Sequence, residues 1–111
     1  MDTLENYRDI IKRVLAAYAQ LPYSYGNLER RLVIDSHTDN YLLMTVGWEN
    51  HKRIHFCLIH LEIIGDKIWI QRDGTEDGIT YELLKEGIPK DKIVLAFHPL
   101  EVRQYTGYAI Q

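Results

Sequence analysis

The sequence holds a single cysteine, Cys57, in 111 residues. One thiol closes no internal disulfide, which excludes the disulfide-stapled secreted class, and it leaves no Cys-x-x-Cys pair for a redox centre or structural zinc. Long apolar runs are missing as well, since no stretch approaches the ~18 residues of a membrane-spanning helix. The opening Met1-Asp2-Thr3-Leu4-Glu5 carries an acid where a secretory signal needs a base, with no apolar run behind it. A cytoplasmic protein with no membrane association is therefore expected. Positive charge is scarce: 13 Lys and Arg face 16 Asp and Glu, a net charge of −3. The largest basic clusters, Arg30-Arg31 and Lys52-Arg53, are short, whereas a nucleic-acid binder shows a basic domain or stripe. No glycine-rich phosphate loop, His-Glu-x-x-His helix or Gly-x-Ser-x-Gly elbow occurs.

What is present is globular. Hydrophobic residues make up 46% and charged residues 26%, so a single domain over residues 1–111 can build one core without metal or disulfide staples. Eight of the aromatic residues are Tyr, against two Trp and two Phe.

Residues 3 to about 20 are expected to form an amphipathic helix, with Leu4, Tyr7, Ile11, Val14, Leu15 and Tyr18 on one face and Pro22 as the stop. Leu21 to Asn27 is turn chemistry containing Tyr23 and Tyr25. Strands are expected at Arg31–Asp35, Tyr41–Glu49, about Arg53–Ile64, Lys67–Gln71 and Ile93–Phe97. In the second, Leu42, Met44, Val46 and Trp48 alternate with Tyr41, Leu43, Thr45 and Gly47. In the third, alternation places His55, Cys57, Ile59, Leu61 and Ile63 on one face and Phe56, Leu58, His60 and Glu62 on the other. Gly65-Asp66 is a two-residue hairpin turn. A second helix is expected from Thr75 or Glu76 to Glu86, stopped by Gly87-Ile88-Pro89. His98-Pro99 breaks the last strand, Leu100 to Gln104 is partly helical, and Tyr105 to Ile110 can be extended. The expected class is α+β: an antiparallel sheet of about five strands in meander order, with the N-terminal and second helices packed on one face.

Several clusters deserve weighing as chemistry. His51, His55, Cys57 and His60 lie close in sequence, but strand alternation sends His60 away from the others, so no metal site is expected. Cys57 beside His55 on an apolar face would be an inert, buried thiol. Asp73, Glu76 and Asp77 stand at a strand-to-helix junction, where carboxylates cap free N–H groups and complement the dipole; a Mg²⁺ site would draw its carboxylates from separate strands. An enzyme built on Asp73, Glu76, His98 and Arg103 requires those side chains to converge. Arg103-Gln104-Tyr105-Thr106-Gly107-Tyr108 has the composition of an interface if exposed, and of a finished sheet edge if folded back.

The residues also carry a family resemblance. Tyr7-Arg8-x-Ile10-Ile11, Pro22-Tyr23-Ser24, Val46-Gly47-Trp48, His51-Lys52-Arg53 and Cys57-Leu58-Ile59-His60 form its first half. Lys67-Ile68-Trp69-Ile70-Gln71, Asp73-Gly74-Thr75-Glu76, Gly87-Ile88-Pro89-Lys90, Ile93-Val94-Leu95 and Arg103-Gln104-Tyr105-Thr106-Gly107 continue in register. Over essentially the whole chain the sequence resembles the XisI-like family, the excision controlling factors of the cyanobacterial fdxN element. That resemblance implies an accessory role in DNA excision during heterocyst differentiation, beside a companion XisH-like protein that resembles the restriction-endonuclease fold. It implies no mapped catalytic residue and no cofactor.

The expectation that follows is a non-enzymatic regulator acting on its companion through Tyr23, Tyr25, Asp73, Glu76, Arg103, Tyr105 and Tyr108, with self-association possible. Direct DNA engagement is the alternative, and it requires Arg30, Arg31, Lys52, Arg53 and Arg103 to share one surface.

Overall fold

A computed structural model gives the structure of residues 3–21 and 27–111; Tyr23 and Tyr25 lie outside the described residues. Helix α1 spans Thr3–Ala19 and buries Tyr7, Ile10, Ile11, Val14 and Leu15, while Leu4 and Tyr18 of the expected stripe are only partly buried. Five strands follow in sheet order: β1 (Asn27–Asp35), β2 (Asn40–Glu49), β3 (Lys52–Ile64), β4 (Lys67–Asp73) and β5 (Ile93–Leu95). Between β4 and β5 lie α2 (Ile79–Lys85) and a 3₁₀ turn at Lys90–Lys92, and α3 (Leu100–Arg103) follows β5.

The first four strands form the expected antiparallel meander, but the sheet is mixed. Strand β5 runs parallel to β4, pairing Ile68 with Ile93 and Ile70 with Leu95. The correction has a simple origin: α2 returns the chain to the start of β4, and a strand entered through a helical crossover comes out parallel. Strand β5 also stops at Leu95, because His98 and Pro99 turn the chain away (His98 N–H to Leu95 O, 3.1 Å).

Helices α1 and α2 cover one face, where Tyr41, Leu43, Ile59, Leu61, Ile68, Ile70 and Ile93 form the core with Ile79, Leu83 and Ile88. Burying such a side chain contributes roughly 1.5–3 kcal/mol. Helix α2 starts at Ile79, later than Thr75 or Glu76. The Asp-Gly-Thr-Glu-Asp-Gly segment makes turns instead, with Gly78 at a φ of 87°, a conformation that suits glycine.

Two register shifts alter the faces. Pairing passes from Leu43↔Ile59 to Met44↔Cys57, so Leu58 is the extra residue of a bulge in β3. Paired residues share a face. Ile59 and Leu61 therefore lie on the helix-covered side with Leu43 and Tyr41, whereas His55 and Cys57 pair with Val46 and Met44 on the open side. His60, opposite Leu42, is on the open side too. The expected grouping of His55 and Cys57 with Ile59, Leu61 and Ile63 is thereby overturned. Strict period-two alternation does not survive a one-residue insertion. A second shift between His60 and Leu61 carries the pairing across Gln71 of β4.

Candidate interaction surface

Asp73 ends β4 and organises the turn into α2. Its Oδ2 accepts from the Ile79 backbone N–H at 2.7 Å, and its Oδ1 accepts from the Thr75 backbone N–H at 3.0 Å. The Thr75 hydroxyl in turn accepts from the Gly78 N–H at 3.1 Å. Asp73 is thus a helix cap acting from six residues upstream, satisfying a donor that the side-chain-less Gly78 leaves open. Glu76 and Asp77 are exposed on the same turn. Asp77 borders an acid-lined groove of about 470 Å³ with Glu82, Glu86 and Tyr18. Burial, with Glu82, Asp73 and Asp77 nearby, raises the Tyr18 hydroxyl above its usual range. Arg13 enters this groove in an ion pair with Glu86 at 2.6 Å.

The histidines do not become a metal centre by sharing the open face. His60 Nε2 donates to Asn40 Oδ1 at 2.7 Å, which occupies one ring nitrogen. Cys57 Sγ donates to the Ile59 carbonyl at 3.2 Å, and burial pushes its thiol up, away from the reactive thiolate. Among the described residues no group of three or more His, Cys, Asp or Glu is placed to hold a metal ion.

The residues of the DNA alternative are divided. Arg30 and Arg31 follow one another in β1 and so point to opposite faces. Arg30 donates to the Tyr18 carbonyl at 2.9 Å on the helix side, while Arg31 donates to Glu29 Oε1 at 3.0 Å on the open side. Lys52 and Arg53 open β3, where the Arg53 guanidinium lies 5.3 Å from the Trp48 ring. Arg103 is elsewhere again, in the C-terminal segment.

That segment, residues 96–111, is where sequence and structure differ most. Arg103 turns inward. Its Nε donates to the His98 carbonyl at 2.9 Å and an Nη to the Ala96 carbonyl at 3.3 Å, and its guanidinium lies over Trp69 at 5.4 Å. The chain end then runs beside β5: Ala109 N–H donates to the Ile93 carbonyl at 2.8 Å and Ala109 bridges Val94. Tyr108 packs against the core with Lys90 5.6 Å from its ring. The folded-back reading thus holds for Tyr108, whereas Tyr105 is 82% exposed. In the same segment Phe97, Leu100, Val102 and Ile110 are exposed too. These four were not singled out in the sequence, because 97–110 is too short and irregular for its apolar residues to show a period. Its signal is composition: apolar residues interrupted by Pro, Gly and polar residues, with no element long enough to bury them.

Asp73 and Glu76 lie on the α2 turn, and Arg103, Tyr105 and Tyr108 on the C-terminal segment beyond β5. Only Tyr105 and Glu76 among these present a largely free side chain.

Comparison with known proteins bears on the whole chain. The sequence profile of the family described as XisI protein matches residues 1–110. No curated protein matches. The fold is similar to the crystal structure of a XisI-like protein from Anabaena variabilis, with a TM-score of 0.89, 35% identity, and 97% of this chain and 99% of that one covered. It is also similar to the fdxN element excision controlling factor XisI from Anabaena variabilis, with a TM-score of 0.84, 37% identity, and 99% of this chain and 100% of that one covered.

Proposed function

The chain belongs to the XisI family, and from that membership we propose that it is an accessory factor controlling excision of a DNA element. In this reading it carries no catalytic centre and acts by binding a companion nuclease-like, XisH-like protein in the cytoplasm. The observation that carries the reading is the C-terminal surface. Leu100 is 52%, Phe97 47%, Ile110 46% and Tyr105 82% exposed, on a segment fixed to the sheet by Arg103 lying over Trp69 and by the Ala109 hydrogen bond to Ile93. Apolar and aromatic side chains held in place at a surface, with no core of their own to enter, suit a protein partner. Rigid anchoring lowers the ordering cost of binding. The acid excess around α2 complements a basic, DNA-handling companion.

Among the described residues, two of the side chains weighed for an enzyme are committed to other contacts, which supports the non-enzymatic side of the proposal. Asp73 is engaged in capping α2, and the Arg103 guanidinium is directed to backbone carbonyls. Direct DNA binding is the less favoured reading, because its five basic residues are divided between the two sheet faces and the C-terminal segment.

Co-expression with the neighbouring nuclease-like gene product tests this. A stoichiometric complex is expected on gel filtration, and Leu100→Asp together with Tyr105→Ala is expected to weaken it by at least about tenfold, loss of a large interface anchor costing about 2 kcal/mol or more. Separate elution of two folded proteins would overturn the proposal. A salt-dependent mobility shift by this chain alone on excision-site DNA would favour the alternative.

A further inference from the structure

The two edges of the sheet are finished differently. The outer edge of β5 is bridged by Ala109, but among the described residues β1 pairs with β2 alone. A nine-residue edge strand without proline is a template for another strand. Its second half also exposes apolar side chains that a soluble edge does not need: Val33 at 47% and Ile34 at 39%. We propose that β1 is a self-association edge, pairing antiparallel with β1 of a second copy about a two-fold axis through Val33. The inference is independent of the role in excision control.

The register follows from symmetry and charge. A two-fold axis relating neighbouring antiparallel strands stands perpendicular to the sheet and leaves each face on its own side. Opposed residues must therefore have the same parity, and the axis passes through a residue. Centring the pairing on Glu29, Arg30 or Arg31 sets that charge against its own copy. Centring on Leu32 sets Glu29 against Asp35 twice. Centring on Val33 avoids every like-charge opposition and places Arg31 opposite Asp35 on both sides of the axis. Leu32 then meets Ile34, and Val33 meets Val33, so the exposed apolar residues of β1 are covered. Directly opposed side chains of opposite charge, and apolar ones, stabilise a sheet, whereas like charges destabilise it.

Both charged partners are already held toward this role. Arg31 extends along the open face in its ion pair with Glu29. Asp35 accepts from the His37 N–H at 3.0 Å and the Thr38 hydroxyl at 2.7 Å, which fixes its carboxylate at the strand end and keeps it ionised. A carboxylate has about four acceptor positions, so capacity for the second copy's guanidinium remains.

Sedimentation velocity of the full chain is expected to show a concentration-dependent dimer. Arg31→Asp should weaken it by on the order of tenfold by replacing attraction with repulsion, and the double variant Arg31→Asp, Asp35→Arg should restore it. Because Asp35 also holds its turn, an independent readout is needed. In a Cys57→Ser background, Val33→Cys should give a disulfide-linked dimer on mild oxidation, since opposed Cα atoms lie about 4.5–5.5 Å apart, within disulfide reach. Glu29→Cys, well away from the axis, should not. Wild-type protein that stays monomeric at every accessible concentration, or equal cross-linking at 29 and 33, would overturn the inference.

Discussion

Asp73 shows how much one side chain can decide. Its sequence neighbourhood, with Glu76 and Asp77 three and four residues further on, suggests a shared role at a helix start. The structure gives the capping to Asp73 alone, while the other two face solvent. Replacing Asp73 with Ala leaves the Ile79 N–H without its acceptor and releases the turn. A loss of about 1–2 kcal/mol in urea unfolding is expected, and Asp73→Asn, which keeps an acceptor oxygen, should lose less. Gly47 is a second such position. Its φ is 153°, and a Cβ there would lie 1.9 Å from the Asn27 carbonyl oxygen, so any side chain disrupts the start of the β1–β2 pairing. The glycine was visible in the sequence; the carbonyl that excludes a side chain comes from a distant residue and was not.

At the scale of elements, α1 and the four-strand meander were legible because each satisfies its period over many residues. The bulge at Leu58 was not, because a bulge is one extra residue set by how two strands fit, and no local pattern marks it. That single insertion moves His55 and Cys57 from the core side to the open side. The parallel placement of β5 was equally hidden, since an apolar triplet reads the same in either direction. The C-terminal segment depends on Arg103, which bonds two backbone carbonyls and lies on Trp69 through a planar guanidinium. Lysine keeps the charge but not the fork. Arg103→Lys is therefore expected to speed amide exchange in residues 97–110 while leaving α1 and β2 protected, as measured by hydrogen–deuterium exchange. Equal loss of protection throughout would show that Arg103 supports the whole fold rather than this segment.

Over the whole molecule, long-range ion pairs link parts distant in sequence, and these set the pH response. The Arg8 guanidinium donates to both carboxylate oxygens of Asp39, joining α1 to the β1–β2 turn, and holds the Asp39 carboxyl below its usual range. Lys92 and Lys67 do the same for Asp66 at the β3–β4 turn. These carboxylates bind protons less readily when folded than when unfolded. Their contribution is therefore present above the ordinary value of 3.8 and lost as pH falls through the lower folded values. At the other end, burial and the hydrogen bond to Asp39 push the Tyr41 hydroxyl up to about 12 from 10.0. Its contribution is complete below pH 10.0 and disappears as pH rises toward about 12. Urea midpoints should thus hold steady through neutrality and fall on both sides; Asp39→Asn should flatten the acid limb, and an unchanged acid limb in that variant would assign the response to other groups.

The sequence by itself determined the α+β class, the apolar faces of α1 and β2, the lack of a disulfide framework, and the resemblance to the XisI family, because each rests on local periodicity, composition or ordered motifs. Tertiary structure alone decided which face His55 and Cys57 occupy, that β5 is parallel, that Arg103 is an internal clasp, and that Tyr105 projects while Tyr108 packs. Each of these depends on which distant backbone or ring a side chain meets when the strands come together, and that distance is not encoded in any window of neighbouring residues.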